Sequence, residues 1–508
     1  MPKGFHPRIF LFLFALAAEG REVTVRVYTN QALDYLTLVR GGHSTLVKAS
    51  ESPVLHVVGA WSAQVPGQDA LRLAYPLDIK ARDGRLALTL HLPLEDYVAA
   101  VLAGESAGFR SEQSLAAMAV AARTYAVRFQ GRHKAEGFDF CDTTHCQDVH
   151  ISAVSERLRQ AAELTEGELL WFQGSPAATF YGKDCGGSIE AAAMVWPDMK
   201  GAYLSGREDP YCARKSWTST IRKDEVRIDS LRIVERTPSG RALRLQAGQR
   251  SITASSLRFA VGRALGWDRL PSDLYEVNDA GDRWVFEGRG SGHGVGLCQV
   301  GAARMGEDGR SYREILEFYY PGTVLGVSAQ GFPWQSMGGE RVQVMTTRPR
   351  EDGALVTIAD RLARAVEERS GLRFEGTVRV KIYPSVAAFR DATGEPGWVA
   401  GSTRAGVIRL QPPVIESALR HELLHVLVES HARPGLPLWF REGAVLFLSG
   451  DRPTNKLKHV PQEAEARMAH AAALDRFSRL IDRFGEGTVM GWISGGLPPT
   501  AMQALATK

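Results

Sequence analysis

Beyond its first twenty residues this sequence has no segment apolar enough to form a bilayer-spanning helix, so no integral membrane span is expected. Charge of one sign is not in excess either. The 61 basic and 57 acidic residues leave a net +4, a near balance that argues against a nucleic-acid binder and against a polybasic membrane patch. Internal repeats and low-complexity tracts are missing. Cysteine is scarce and odd in number, at positions 141, 146, 185, 212 and 298. In an exported chain such a set leaves at least one thiol outside intramolecular disulfides, unless it has another role.

What remains is the composition of a soluble globular protein, 44% hydrophobic and 23% charged. At 508 residues one ordinary core is not enough, and two or more domains are expected. Lys3, His6 and Arg8 precede a run from Ile9 to Ala18 without a polar residue, and Ala15-Leu16-Ala17 offers small residues for cleavage. That run is about half of what a membrane-spanning helix needs. Residues 1–17 are therefore predicted to be a secretory signal peptide, placing the protein in the periplasm or the extracellular cell envelope. A hydrophobic first strand is the competing reading. No cysteine follows closely enough for a lipid anchor.

Alternation dominates residues 22–92. Val23, Val25 and Val27 share one strand face, as do Leu86, Leu88, Leu90 and Leu92 after the turn Arg82-Asp83-Gly84. From Glu95 the period becomes helical, with Tyr97, Val101 and Leu102 inward. A second helix is predicted from the cap Ser111, with Leu115, Met118, Ala122, Tyr125, Ala126 and Phe129 as its buried stripe. Turn-rich segments with short strands run on to about residue 287. A linker is predicted from Phe332-Pro333 to Gly338-Gly339. Beyond it come a helix over 354–369, strands over 378–383 and 406–410, and a long helix over 414–430. The expected fold class is α+β throughout: a strand-rich module over 18–335, then a smaller α/β module over 340–508.

Residues 421–425 read His-Glu-Leu-Leu-His in a helical pattern. Histidines four apart lie one turn from each other on one face, so both rings reach a single zinc ion, and the adjacent Glu422 can act as general base on a water. A solvated helix face is the plainer reading of the five letters alone. Two candidates exist for a third ligand. His431 has the metzincin spacing, but Val428 stands where that arrangement needs a turn-forming glycine. Glu442 lies 17 residues after His425, beyond the breaker Pro434-Gly435-Leu436-Pro437, where a second helix can return a carboxylate. Trp439-Phe440-Arg441-Glu442-Gly443 resembles the second motif of the peptidase MA-like (gluzincin) family. The resemblance, over roughly residues 340–450, implies a zincin-like zinc peptidase with His421, His425 and Glu442 as ligands and Glu422 as catalytic base.

Three further motifs stand earlier in the chain. The first runs Leu92-Pro93-Leu94-Glu95-Asp96-Tyr97-Val98, through Gly104-Glu105-Ser106, to Ala119-Val120-Ala121-Ala122-Arg123-Thr124-Tyr125. The second is Cys141-Asp142-Thr143-Thr144-His145-Cys146-Gln147. The third is Gly290-Ser291-Gly292-His293-Gly294-Val295-Gly296-Leu297-Cys298-Gln299, followed by Gly301-Ala302 and Tyr319-Tyr320-Pro321-Gly322-Thr323. Their order and wording resemble the SpoIID/LytB family of cell-wall proteins over roughly residues 88–323. The resemblance implies a lytic transglycosylase acting on peptidoglycan glycan strands, with Glu105 catalytic, or alternatively a non-catalytic activator or targeting protein for a cell-wall amidase, with the zinc module as sole enzyme or inactive. The chemistry suits a lone carboxyl. A transglycosylase uses the sugar's own hydroxyl as nucleophile, so one group serves as acid and then base if burial lifts its pKa toward neutrality. The small apolar run Ala99–Gly104 before Glu105 offers such a setting.

Cys141 and Cys146, with His133 and His145 nearby, admit either a zinc ion or a Cys141–Cys146 disulfide. Family resemblance implies a metal held by the two cysteines and one histidine, His133 being preferred to His145. Cys185 and Cys212, both in turn-like loops, are expected to form a disulfide. That leaves Cys298 as the odd thiol in a glycine-rich loop that either lines the groove or makes a tight turn. Trp196 and Trp217 offer rings that could stack on sugars, but core packing is expected for each.

Overall fold

Branched residues at every second position build the first sheet. The computed structural model describes residues 21–213, 215–404, 406–450 and 461–506; the predicted signal peptide lies outside them. Strand Glu22–Val27 buries Val23, Val25 and Val27 and pairs antiparallel with Arg85–Pro93, whose Leu86, Leu88, Leu90 and Leu92 enter the same core. The hairpin from Leu77–Arg82 closes through Asp83 and Gly84, both left-handed (φ 50° and 72°), the hand that matches strand twist. Sheet order is Val54–Val57, Leu77–Arg82, Arg85–Pro93, Glu22–Val27, Phe140–Cys141. The last strand joins parallel, with Arg26 opposite Cys141. A candidate metal ligand is thereby fixed to the sheet edge.

Two helices follow, Leu94–Glu105 and Glu112–Phe129. Ser111 caps the second, its hydroxyl accepting from the Gln113 amide at 3.2 Å. Instead of the expected stripe, every residue from Ser114 to Ala126 is buried. Alanine permits this: with six in that stretch, neighbours approach from all sides. Arg123 is fully buried among them. Its guanidinium donates to both Glu95 oxygens (2.8 and 2.5 Å), Thr165 Oγ1 (3.2 Å) and the carbonyls of Ala162 (2.8 Å) and Glu168 (3.3 Å). A buried charge is tolerable only when paired and bonded in this way. The Glu95–Arg123 pair thus ties the helix ending at Glu105 to its neighbour.

Residues 216–289 have a core of their own, where the sequence indicates only turns and short strands. Strands Ser216–Arg222, Arg283–Arg289 and Tyr275–Asp279 form one sheet and Leu231–Arg236, Ala242–Ala247 and Arg250–Thr253 another. Ile221, Leu245, Val261, Trp284 and Phe286 fill the space between them and helix Ala254–Leu265.

The chain divides into two compact units, one of residues 22–331 and one containing 332–508. The predicted linker is partly strand: Gln335–Gly338 pairs antiparallel with Val342–Thr346. Met337 supplies its apolar contact. That sheet continues through Val378–Ile382 and Val407–Leu410, both parallel additions, to the antiparallel edge strand Gly401–Arg404. Helices Ala354–Ser370, Glu416–His431, Leu438–Ser449 and Pro461–Phe484 share its core. The protein is a mixed, strand-rich α and β structure, and among the described residues no helix is long and apolar enough to cross a membrane.

Candidate functional site

Glu105 ends its helix at the wall of a groove of about 1160 Å³. Its carboxylate is half-buried and doubly held. The Asp148 amide donates to Oε1 at 3.1 Å, and Gln299 Nε2 donates to Oε2 at 2.8 Å. Burial, the largest influence, raises its pKa above the ordinary carboxylate value; the two hydrogen bonds pull the other way. Gly104 makes the Asp148 contact feasible, because a Cβ there would stand 2.3 Å from the Asp148 carbonyl oxygen. Gly104→Ala is therefore expected to push that loop off Glu105 and to cost about 1–3 kcal/mol, read as a lowered denaturant midpoint with unchanged slope.

The glycine-rich loop also lines the groove, through Ser291, Gly292 and His293. The Val295 amide donates to His293 Nδ1 at 2.9 Å, and burial pushes the ring's pKa down to about 4, so the imidazole is neutral near pH 7. Trp196 packs against the core as expected and also lines this groove, stacked on Phe180 (centroids 4.3 Å apart) and edge-on to His293 (5.0 Å). Trp217 does pack inward, its indole donating to the Gly290 carbonyl at 3.0 Å. Beneath the groove, Gln147 links Tyr97 and Tyr181 through bonds of 2.8 and 2.7 Å.

Cys141, Cys146, His133 and His145 converge, their ligand atoms all within 4.8 Å of one another. Cys146 Sγ stands 3.3 Å from both Cys141 Sγ and His133 Nε2, and His145 Nδ1 lies 3.6 Å from Cys141 Sγ. The choice between the two histidines dissolves, since both join the sulfurs. His133 Nδ1 is fixed by Glu136 Oε1 at 2.7 Å, the outer partner a ligating histidine ordinarily has. The neighbouring Cys146 stabilises the Cys141 thiolate and drives that thiol's pKa well down. His145 and Cys146 also line the groove with Glu105. Two sulfurs and two imidazoles around one point suit a tetrahedral zinc ion.

No disulfide joins the described cysteines. Cys185 and Cys212 do not stand apart as a pair with Cys298 as a bystander: all three sulfurs lie within 4.8 Å of one another. The parallel pairing of Tyr181–Gly182 with Leu297–Cys298 carries Cys298 into the cluster, a long-range contact that loop spacing does not reveal.

In the second unit His421 and His425 share the helix Glu416–His431, and Glu442 sits on Leu438–Ser449. The two Nε2 atoms are 3.1 Å apart. Glu442 Oε2 lies 3.3 Å from His425 Nε2, and Oε1 lies 3.8 Å from His421 Nε2. Ligands 2.0–2.1 Å from one tetrahedral zinc stand roughly 3.3 Å apart, so the spacing fits. Glu442 Oε1 is buried and accepts no hydrogen bond among the described residues, an expense that a cation would relieve. Burial depresses His425 to about pH 4, keeping the ring neutral as a ligand must be. His431 turns away, its Nδ1 bonded to the Leu427 carbonyl at 2.9 Å. Glu422 is raised to about 7 by burial, against a 2.7 Å bond from Thr403 Oγ1 on the edge strand.

The sequence reading missed His470, whose Nε2 is 3.4 Å from Glu442 Oε1. Gly443 explains the approach. A Cβ there would meet the Ala473 carbonyl oxygen at 2.6 Å and Phe477 Cβ at 2.7 Å, so glycine lets the helix Pro461–Phe484 close in. His470, Ala473 and Phe477 fall on one helical face, a pattern present in the sequence but unremarkable without its partner.

Residues 82–172 match the SpoIID family, Stage II sporulation protein. The first unit therefore carries a SpoIID-type region, and that region holds Glu105 and the Cys141/Cys146 cluster. Over 248 residues the chain is 32% identical to an uncharacterized protein of Brachyspira hyodysenteriae, covering 46% of this chain and 66% of that one. It is 27% identical over 285 residues to the amidase enhancer of Bacillus subtilis, covering 44% of this chain and 39% of the enhancer. With stage II sporulation protein D of the same organism it shares 26% identity over 264 residues, 46% of this chain and 75% of that one. Residues 212–296, which include the whole of the separate core, match a domain of unknown function, DUF8618.

Proposed function

We propose that this is an exported, envelope-located protein that remodels bacterial cell wall, its first unit cleaving peptidoglycan glycan strands as a lytic transglycosylase. The observation that carries the reading is Glu105: one carboxyl group with a raised pKa, held by two donors at the wall of a long groove. The protonated acid gives its proton to the glycosidic oxygen as the C–O bond breaks. The carboxylate then takes the proton of the sugar's own hydroxyl as that oxygen bonds to the anomeric carbon, closing an anhydro ring. No water enters, and no second carboxylate is required. The adjacent acid, Asp148, is paired with His150 at 3.2 Å. Trp196, Phe180, Phe129 and Tyr125 supply flat apolar walls on which sugar rings can lie. A zinc ion held by His133, Cys141, His145 and Cys146 would brace the loop carrying Asp148.

Digestion of purified peptidoglycan by the full chain tests this. Anhydro-muramyl ends support the proposal, and ordinary reducing ends replace it by hydrolysis. The similarity to an amidase enhancer favours a second reading, a non-catalytic activator of a wall amidase; absence of any new ends, with faster amide cleavage by an added amidase, would establish that one.

Gln299 tunes the acid. Its amide stabilises the charged form of Glu105, so Gln299→Leu raises the Glu105 pKa further. The alkaline limb of the pH–rate profile, where the acid is lost, is expected to move to higher pH.

For the second unit we infer a zinc-dependent peptidase. His421, His425 and Glu442 would hold the ion, which supplies Lewis acidity toward water and a peptide carbonyl. Glu422, poised near neutrality and held by Thr403, accepts the attacking water's proton and passes it to the leaving amine. The edge strand Gly401–Arg404 offers backbone groups to an extended peptide beside Glu422.

A further inference from the structure

We propose that Cys185, Cys212 and Cys298 hold a zinc ion of their own, a site distinct from the His133/Cys141/His145/Cys146 cluster. Three loops far apart in sequence deliver these sulfurs to one buried point. Cys185 follows the strand Tyr181–Gly182, Cys212 follows Arg207–Glu208, and Cys298 ends Leu297–Cys298. None is more than 4% exposed, and the sulfurs lie within 4.8 Å of one another. Sulfurs 2.3 Å from one tetrahedral zinc stand roughly 3.8 Å apart, so small movements close the triangle. A disulfide would use two sulfurs and strand the third in the core. A single cation uses all three.

The surroundings favour thiolates around a cation. Two backbone amides, of Cys185 and Gly301, donate to Cys298 Sγ at 3.3 and 3.4 Å, and Cys298 caps the helix Gln299–Glu307, whose positive end faces the sulfur. Two carboxylates flank the cluster: Asp184 Oδ1 is 3.0 Å from Cys212 Sγ, and Asp209 Oδ2 is 3.3 Å from Cys185 Sγ. Asp209 is fully buried and also accepts from Tyr319 Oη at 3.0 Å. Buried Asp209 and half-buried Asp184 stand beside three sulfurs that lie within 4.8 Å of one another, a donor set that a dication at the centre would attract. Arg241, almost fully buried, adds a further positive charge while donating to the Cys185 carbonyl at 2.6 Å. The helix start is packed to allow this, since a Cβ on Gly301 would stand 2.1 Å from Tyr319 Oη and 2.6 Å from Asp209 Oδ2. The site would pin the residue before Gln299, and hence the donor that holds Glu105.

The test counts metal in the full chain purified with zinc and without chelator. Cys185→Ser, Cys212→Ser and Cys298→Ser are each expected to lose one equivalent of zinc relative to the wild-type chain. Cys141→Ser is expected to lose a different one, so that Cys141→Ser/Cys298→Ser loses two. Wild-type zinc content retained in all three single variants overturns the site. Should those variants fail to fold, the wild-type chain decides. Unfolded without reductant in the presence of a chelator, it is expected to show all five cysteines as reactive thiols with release of the bound zinc. A disulfide between any two of Cys185, Cys212 and Cys298, located by peptide mapping, or an absorption-edge spectrum whose sulfur count is met by Cys141 and Cys146 alone, overturns it.

Discussion

Glu105→Gln is expected to abolish the release of anhydro-muramyl ends, lowering turnover on the order of 10²–10⁴-fold, the usual contribution of a positioned proton donor and acceptor. The substitution keeps the size of the side chain and removes only the proton chemistry. One local bond suffers, because both carboxylate oxygens now accept from donors, the Asp148 amide and Gln299 Nε2. A glutamine must present its own NH₂ to one of them unless Gln299 flips. The fold loses little by this, since Glu105 is half-buried at a helix end. Thermal unfolding close to wild type, with catalysis lost, is the expected pair of results. Glu105→Asp retains the acid but withdraws it by one methylene, and intermediate activity is expected. Product release by Glu105→Gln at the wild-type rate would remove Glu105 from the chemistry.

Loss of zinc from the second unit should follow Glu442→Ala and not His431→Ala. Glu442 bridges toward both histidines and has a buried oxygen that accepts no hydrogen bond among the described residues, whereas His431 is bonded to its own helix. Removing an outer partner of a metal ligand costs about 10–100-fold in affinity, and removing a ligand itself costs more. Metal content after dialysis against a weak chelator therefore separates the two variants. Glu422→Gln gives the complementary result, with zinc retained and peptide cleavage lost. Zinc lost from His431→Ala alone would transfer the third ligand to that residue.

Local periodicity exposed much of this protein. The alternation at Val23, Val25 and Val27 and at Leu86 to Leu92 depends on neighbours two apart, and the Ser111 cap depends on the first turn of its own helix. His421 and His425 were legible for the same reason, being one turn apart. Where a second segment supplies the contact, pattern fell short. The linker reading overlooked Gln335–Gly338, which is a strand because Val342–Thr346 lies beside it. Trp196 lines the groove because Phe180 supports it from another segment.

The sequence by itself marked His421, Glu422 and His425 on one helix and the close pair Cys141 and Cys146, because neighbours along a helix or a short loop are set by the chain's own geometry, whereas Glu105 and Glu442 were reached through family resemblance. Only the tertiary structure decided which groups share a site. The parallel pairing that brings Cys298 to Cys185, the reach of Gln299 to Glu105 across 194 residues, and the approach of His470 allowed by Gly443 all arise from packing between distant segments. Burial, which lifts the Glu105 pKa and neutralises His293, is likewise a property of the assembled groove and of no single stretch of residues.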